Sequence, residues 1–303
     1  DALKISLDME RNGAAIIDIG GESTRPGSHE VSPEIQISRV IPLIKALRES
    51  SDVIISIDTG NPEVMNAAVE SGADLINDVY ALTKEGAMQV AIDSGKIICL
   101  MHMQNLPHDM QDAPSYKKLP EDILSFFEAR IDACIAAGLS KDKLIIDPGF
   151  GFGKDMHHNL LLLQKLSSFK QFDIPICVGI SRKKLIGDII GKPLNKRLIG
   201  GLSAGIFATM HGANIIRTHD DKESTLLLGN AILTSKTIVE MIKNIEITDP
   251  YRLPPNNMKE VLRGLPVQPD KGEFVNTYRS HLRNPMTNKE FTDGELEMIY
   301  DHT

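Results

Sequence analysis

Polar side chains follow a series of short apolar segments along this chain. The clearest examples are Asp58 after VIISI, Asn77 after DLI and Asp147 after LII. Carboxylate and amide oxygens accept hydrogen bonds, and a carboxylate such as Asp147 can accept two parallel bonds from an amidine-like edge. The spacing therefore predicts a ligand site that contains these three side chains, in which Asp147 binds N–H donors.

Basic side chains occur at the same kind of position, although the chain has a net charge of -8. Arg25, Arg182, Lys183 and Arg217 all fall just past the end of an apolar segment. An acidic protein that concentrates positive charge around a site is suited to a small anion. The overall charge argues against nucleic acid or an anionic membrane as a partner.

Two short polar runs predict which of these side chains share a strand face. In GISRK, Ser181 and Lys183 are two residues apart, which predicts that Lys183 faces inward and Arg182 does not. In RTHD, the same period pairs Arg217 with His219 as an oxyanion or phosphate clamp.

Each of these residues also has a structural interpretation. Asp58 could cap the next helix, but Asn61 suits that position better. Of the adjacent pair, Asn77 is the better inward candidate because Asp78 can cap the turn that follows. Phe152 could pack in the core or cover a flat ring. DPGFGFGK is not a phosphate loop, since Asp155 stands where Ser or Thr is required.

Metal and redox chemistry receive little support from the sequence. His102, His157 and His158 lack the spacing of a zinc motif. The three cysteines form no CxxC pair, so we expect Cys99, Cys134 and Cys177 to be core residues of a cytoplasmic protein. We expect no membrane span and no signal peptide, since DALKISLDMERNG has the pattern of an amphipathic helix that ends at Gly13.

The apolar segments themselves predict the fold. Seven β-branched runs, too short for helices, suit strands that are buried on both faces of a parallel sheet. Segments with helical periodicity separate them: PEIQISRVIPLIKALRES, NPEVMNAAVESG, EDILSFFEARIDACIAAG, HHNLLLLQKLSSF and GGLSAGIFATMHG. We therefore predict an α/β fold, a TIM (β/α)8 barrel over residues 1–248, with a doubly wound open sheet as the alternative.

Two features lie outside that pattern. A helix with no strand before it begins the chain, which indicates that the first strand and its loop are absent from this numbering. From residue 249 the chain is rich in Pro, Gly and polar residues, so we expect 249–303 to be a C-terminal extension.

Six runs in this order resemble the dihydropteroate synthase family, pterin-binding barrels of folate biosynthesis. They are GGESTRPGS, SIDT, LINDV, DPGFGFGK, GISRK and RTHD, and the resemblance covers most of residues 1–248. It implies a transferase that joins 6-hydroxymethyl-7,8-dihydropterin pyrophosphate to 4-aminobenzoate, giving 7,8-dihydropteroate and pyrophosphate. It also implies a sulfonamide target, a magnesium cofactor and a homodimer.

The resemblance assigns a role to each candidate residue. The pterin would be bound by Asp58, Asn77, Asp147, Phe152, Gly179, Lys183 and Arg217. The 4-aminobenzoate and pyrophosphate would be bound by Thr24, Arg25, Pro26, Ser181, Arg217 and His219. The catalytic group would be Asp58, Lys183, Arg217 and His219. The expected magnesium ligand, an asparagine of the first loop, is not in this sequence.

Two other functions share parts of this pattern. Methyltetrahydrofolate-binding methyltransferases recognise a pterin edge in a similar way, but they would not need STRPG, SRK and RTHD together. A non-catalytic pterin-binding subunit would explain the lack of the first loop.

Overall fold

The computed structural model describes residues 1–24, 27–105, 110–111, 113–219 and 224. The strands in that part of the chain are β1 Ile16–Gly20, β2 Ile54–Asp58, β3 Leu75–Asp78, β4 Ile97–Met101, β5 Leu144–Asp147, β6 Cys177–Gly179 and β7 Ile215–Arg217. The helices are α1 Ala2–Arg11, α2 Pro33–Ser50, α3 Pro62–Glu70, α4 Ala87–Ser94, α5 Glu121–Ala136, α6 Met156–Gln164, α7 Lys184–Ile190 and α8 Leu198–Met210. The predicted extension 249–303 lies outside the described residues.

All strand pairs are parallel and follow the order of the chain. β1 to β5 form one continuous sheet, and β6 pairs with β7. A single bridge between Ile146 and Ile176 joins the two groups, supported by the Ile146 N–H, which donates to the Pro175 carbonyl at 3.0 Å. A doubly wound sheet reverses its strand order at an internal strand. The sequential order excludes that alternative and is the order of a (β/α)8 barrel.

The two ends of the strand series meet through side chains. No backbone pairing joins β7 to β1 in the described part of the chain, but the Arg217 guanidinium lies 3.4 Å from the Asp18 carboxylate. Side chains of the first and last strands therefore face a common interior, as in a barrel.

The strands form because their apolar side chains are covered on both sides. Ile55, Ile57, Ile76, Ile98 and Ile146 have no exposed surface. Continuous β-branched runs of this kind suit a parallel sheet that helices cover on one face and barrel contacts on the other.

The helices pack one face on that sheet. α2 begins with Pro33 at its first turn and buries Val40, Ile44 and Leu47, which recur at helical spacing. α3 is capped by Asn61, whose side chain accepts from the N–H groups of Glu63 and Val64, as predicted. None of the helices in the described residues is long and apolar enough to cross a membrane.

The helix predictions were incomplete in three places. α4 and α7 were not predicted, because they have only eight and seven residues and no side-chain cap marks where they begin. The segment HHNLLLLQKLSSF does not form one helix. α6 ends at Gln164, and Leu166–Phe172 continues as a tighter 3-10 helix.

Candidate active site

The predicted polar residues meet at the carboxyl ends of the strands. Asp58, Asp147 and Arg217 are the last residues of β2, β5 and β7, and Asn77 is the penultimate residue of β3. The register pairs Asp58 directly with Asn77. The carboxyl ends of parallel strands lie at the same edge of the sheet, so pairing of neighbouring strands brings these side chains close together. Asn77 and Asp147 are only 5% and 1% exposed.

Arg217 lies among three carboxylates. Its Nη1 is 3.8 Å from Asp58 Oδ2 and 3.4 Å from Asp18 Oδ2, and its Nη2 is 3.5 Å from Asp147 Oδ2. Burial acts to lower the pKa of Arg217, but the charges of Asp147, Asp18 and Asp58 outweigh burial and raise that pKa. The guanidinium therefore stays charged and is the electrostatic centre of the site.

Asp58 is the most perturbed carboxylate of the site. Burial, followed by the charge of Asp18, raises the pKa of Asp58 to about 7, against the opposing effect of Arg217. The Asp58 Oδ1 and Asn77 Oδ1 atoms are buried and have no hydrogen-bond partner among the described residues. Two acceptors at paired positions of β2 and β3 thus have no donor in the described part of the chain.

Asp78, the neighbour of Asn77, has the structural role that was predicted. Its two carboxylate oxygens each accept at 2.8 Å, one from the Tyr80 N–H and the other from the Leu82 N–H. Asp78 therefore caps the turn after β3, which leaves Asn77 to face the site.

Lys183 turns inward, as predicted, but for a different reason. β6 ends at Gly179, and the Lys183 N–H donates to the Ile180 carbonyl at 3.3 Å, so residues 180–183 form a turn. The strand-face argument for Ser181 and Lys183 was therefore wrong, because the pairing stops before them. β7 likewise ends at Arg217, so His219 lies beyond the strand and does not share its face by strand alternation.

The Lys183 amine contacts the loop after β5. It donates to the Phe150 carbonyl and lies 4.7 Å above the centroid of the Phe152 ring. Burial, followed by the charge of Arg217, lowers the pKa of Lys183 to about 7. Phe150 is fully buried in the core, while Phe152 is only partly buried, at the edge of the site.

The loop that carries Asp147 is held by a residue the sequence analysis did not select. The Lys154 amine is buried and lies 2.9 Å from the Gly149 carbonyl, 3.0 Å from the Phe152 carbonyl and 3.0 Å from His102 Nδ1. Burial is the main cause that lowers the pKa values of both Lys154 and His102. The lysine of DPGFGFGK was a visible signal, but the sequence does not indicate that it points into the loop.

Asp18 is the second residue that the sequence analysis missed. Its carboxylate accepts from Ser56 Oγ at 2.6 Å and from Asn77 Nδ2 at 3.2 Å, besides the contact with Arg217. The available signal was a lone carboxylate inside the apolar strand IIDIG, with buried isoleucines on both sides.

The remaining predicted residues are placed as follows. Gly179 leaves space for Arg217, since a Cβ there would lie 3.1 Å from Arg217 Nε. Ser181 is 8% exposed, and its hydroxyl accepts from the His219 N–H at 3.3 Å. Thr24 is partly buried in the segment after β1. Arg25 and Pro26 lie outside the described residues.

Metal ligands do not cluster in the described part of the chain, where no group of three His, Cys, Asp or Glu residues could hold an ion. His158 instead joins Asp155 in capping α6. The three cysteines are free and buried, so the prediction that they are core residues is confirmed.

Comparison with known proteins extends the similarity beyond the motifs. The pterin binding enzyme family matches residues 1–219. Dihydropteroate synthase of Escherichia coli strain K12 is 46% identical over 224 residues, which cover 74% of this chain and 79% of that protein.

Solved structures agree in fold. The Yersinia pestis dihydropteroate synthase in complex with a sulfonamide drug superposes with a TM-score of 0.73 at 43% identity, covering 80% of this chain and 85% of that one. The Xanthomonas albilineans dihydropteroate synthase with 4-aminobenzoic acid gives a TM-score of 0.70 at 37% identity, covering 80% and 84%. These relatives confirm the predicted barrel, and the chain belongs to the family of pterin binding enzymes.

Proposed function

We propose that this chain is a dihydropteroate synthase. It joins 6-hydroxymethyl-7,8-dihydropterin pyrophosphate to 4-aminobenzoate in folate biosynthesis, releasing pyrophosphate. The observation that carries the proposal is a pair of buried acceptors, Asp58 Oδ1 and Asn77 Oδ1, that have no hydrogen-bond partner among the described residues. The Asp147 carboxylate belongs to the same site, since it contacts the Arg217 guanidinium as Asp58 does. A buried acceptor that lacks a donor costs about 1–3 kcal/mol. A ring with several N–H groups would remove that cost at each position.

The pterin ring presents donors and acceptors that match these side chains. Its amidine-like edge suits Asp147, whose Oδ1 is already fixed by the Gly149 N–H at 2.8 Å. Asn77 and Asp58 are available to the remaining N–H groups, and Lys183 can donate to a ring acceptor. Phe152 and the Arg217 guanidinium offer flat surfaces to the ring.

Arg217 and His219 are suited to hold the pyrophosphate. The Arg217 contacts with its three carboxylates span 3.4–3.8 Å, longer than the 2.7–2.9 Å of a strong charge-assisted hydrogen bond. The guanidinium therefore retains hydrogen-bonding capacity for an anion. Thr24, Arg25, Pro26 and Ser181 would frame the 4-aminobenzoate.

The reaction then needs electrostatic stabilisation and no side-chain nucleophile. The C–O bond to pyrophosphate breaks and its electron pair leaves with the oxygen. The cationic pterin methylene that remains is attacked by the arylamine lone pair, which forms the C–N bond and releases a proton from nitrogen. The carboxylates of Asp18, Asp58 and Asp147 favour the cation, and the developing positive charge in turn favours the ionised form of Asp58.

Pyrophosphate release separates this proposal from the alternatives. We expect release only when the dihydropterin pyrophosphate and 4-aminobenzoate are both present. A methyltransferase would instead transfer a methyl group from methyltetrahydrofolate, and a non-catalytic subunit would bind the pterin without turnover. No release from the two substrates together would refute the proposed function.

Magnesium is proposed only as a partner of the pyrophosphate. Mg²⁺ prefers oxygen ligands and keeps several waters, so it needs few protein ligands when phosphates bind it. The described residues do not build such a site on their own, and no step above depends on it. Calorimetric titration of pyrophosphate with and without MgCl₂ tests the proposal, since equal affinities would contradict it.

We also propose a cytoplasmic homodimer. Leu160 on α6 and Phe207 and Met210 on α8 are 39–57% exposed, and a shallow apolar cavity of about 410 Å³ lies between these helices. Covering this face with a second copy would bury those side chains. We expect light scattering to show a dimer that Phe207→Glu converts to a monomer. A monomeric wild-type protein at micromolar concentration would contradict the proposal.

A further inference from the structure

Asp18 occupies an unusual position for a charged residue. It lies in the middle of β1, between Ile17 and Ile19, which are 4% and 6% exposed. Because side chains alternate along a strand, Asp18 points away from those isoleucines and into the interior. Its side chain is 24% exposed, and the residue as a whole is exposed.

The carboxylate of Asp18 connects four strands. The register places Asp18 beside Ser56 of β2, whose hydroxyl donates to Oδ1 at 2.6 Å. Oδ2 accepts from Asn77 Nδ2 of β3 at 3.2 Å and from Arg217 Nη1 of β7 at 3.4 Å. Two of these three donors belong to the proposed pterin and pyrophosphate sites.

The contact with Asn77 determines what that amide presents to a ligand. With Nδ2 directed at Asp18, the other amide atom, Oδ1, is buried and has no partner in the ranges that the structure describes. Asn77 therefore offers an acceptor to the site. If Asp18 offered no acceptor, the amide could rotate and present its N–H₂ group instead.

We propose that Asp18 is a positioning residue for this reaction, which orients the Asn77 amide towards the pterin and holds the Arg217 guanidinium for the pyrophosphate. The proposal rests on the proposed function. Asp18 acts through these two side chains and forms no bond to the reacting atoms.

Asp18 also affects the charge of the site. The charged groups that act on Asp58 are Asp18 on β1, Arg217 on β7, Asp78 on β3 and Glu22 in the segment after β1. After burial, Asp18 is the largest contributor that raises the pKa of Asp58. Removing its charge should lower that pKa, so the acid limb of the kcat/KM profile should move to lower pH.

Asp18→Asn tests the proposal in the full chain. An asparagine keeps one acceptor oxygen but has an N–H₂ group in place of the other. Its side chain therefore cannot accept from both Ser56 and Asn77. We expect the Kd for 6-hydroxymethyl-7,8-dihydropterin, measured by calorimetry, to rise about ten- to a hundredfold, as is typical when a charged hydrogen-bond partner is lost. The acid limb should move to lower pH in the same variant.

Two controls isolate the cause. Ser56→Ala removes one donor to Asp18 but leaves the contacts with Asn77 and Arg217, so the Kd should change less than threefold. Asp18→Glu keeps the charge but displaces the carboxylate by one methylene. We expect it to weaken dihydropterin binding while the acid limb stays near that of the wild type. If Asp18→Asn does not fold, the dihydropterin Kd of Asp18→Glu tests the positioning role.

The outcomes are distinguishable from failure of the proposed function. A wild-type protein that releases no pyrophosphate refutes the function, whereas the dihydropterin Kd tests Asp18 independently. A wild-type Kd and an unmoved acid limb in Asp18→Asn would overturn the positioning role, as would a wild-type Kd in Asp18→Glu.

Discussion

Replacing Asp58 with asparagine should stabilise the protein while it abolishes activity. The Asp58 side chain is 22% exposed, and its Oδ1 has no partner in the described part of the chain. Its pKa of about 7 means that ionisation is unfavourable in the folded protein. Asparagine has nearly the same shape and carries no charge, so it removes that unfavourable charge without opening a cavity.

The size of the effect follows from the pKa change. Raising the pKa of Asp58 from its ordinary 3.8 to about 7 corresponds to about 4 kcal/mol, at 1.36 kcal/mol per pKa unit. Between these values the folded protein binds more protons than the unfolded chain, so the free energy of unfolding falls as the pH rises. The destabilisation by Asp58 is thus nearly complete at pH 8 and less than half as large at pH 5.

Urea unfolding at pH 5 and pH 8, followed by circular dichroism, measures this difference. The free energy of unfolding of Asp58→Asn should exceed that of the wild type by up to about 4 kcal/mol at pH 8 and by less than about 2 kcal/mol at pH 5. Asp132→Asn, on the exposed face of α5, is the matched control and should change the free energy by less than about 0.5 kcal/mol at both pH values. Pyrophosphate release by Asp58→Asn should fall at least about a hundredfold, or roughly 3 kcal/mol of transition-state stabilisation.

The pH dependence is the decisive result. An Asp58→Asn protein that is less stable than the wild type at pH 8 would refute the argument. An equal difference at both pH values would refute it as well, because the stabilisation would then not come from the charge.

Three further predictions concern the loop after β5. Asp147→Ala should raise the calorimetric Kd for dihydropterin at least about a hundredfold, and an unchanged Kd would exclude the assigned pocket. Lys154→Met should lower the thermal midpoint and raise the KM for the pterin substrate, because two loop carbonyls and His102 Nδ1 lose their bond to the amine. Lys165→Met, at an exposed position, should change neither quantity. Gly149→Ala should destabilise the protein far more than Gly95→Ala in a thermal melt. Both glycines have positive φ, but only at Gly149 would a Cβ lie 1.9 Å from a backbone oxygen, that of His102. An equal fall in the thermal midpoint for both variants would contradict the close approach at Gly149.

The fold could be predicted because strand burial leaves a direct pattern in the sequence. β-branched runs of four to eight residues identified all seven strands to within a few residues, and long helices such as α2 showed their buried face by spacing. The short helices α4 and α7 were not recognised, because they begin after Gly86 and Lys183, which provide no side-chain cap. The nine-residue α3 is nearly as short, but Asn61 and Pro62 mark its start.

The site could be predicted only in part. Strand-end position selected Asp58, Asn77, Asp147 and Arg217, since the carboxyl ends of parallel strands meet at one edge. Strand alternation did not extend to Ser181, Lys183 and His219, because backbone pairing ends before those residues.

The sequence alone determined the strands, their parallel arrangement and the family, because these depend on local residue patterns and ordered motifs. Only the tertiary structure decided that Asp18 connects Asn77 with Arg217 and that Lys154 holds the Asp147 loop. Asp18 reaches Asn77 and Arg217 across 59 and 199 residues of the chain. Lys154 bonds locally to its own loop, but its contact with His102 spans 52 residues. The same holds for the pKa of Asp58, because burial and the charges of neighbouring strands exist only once the barrel has formed.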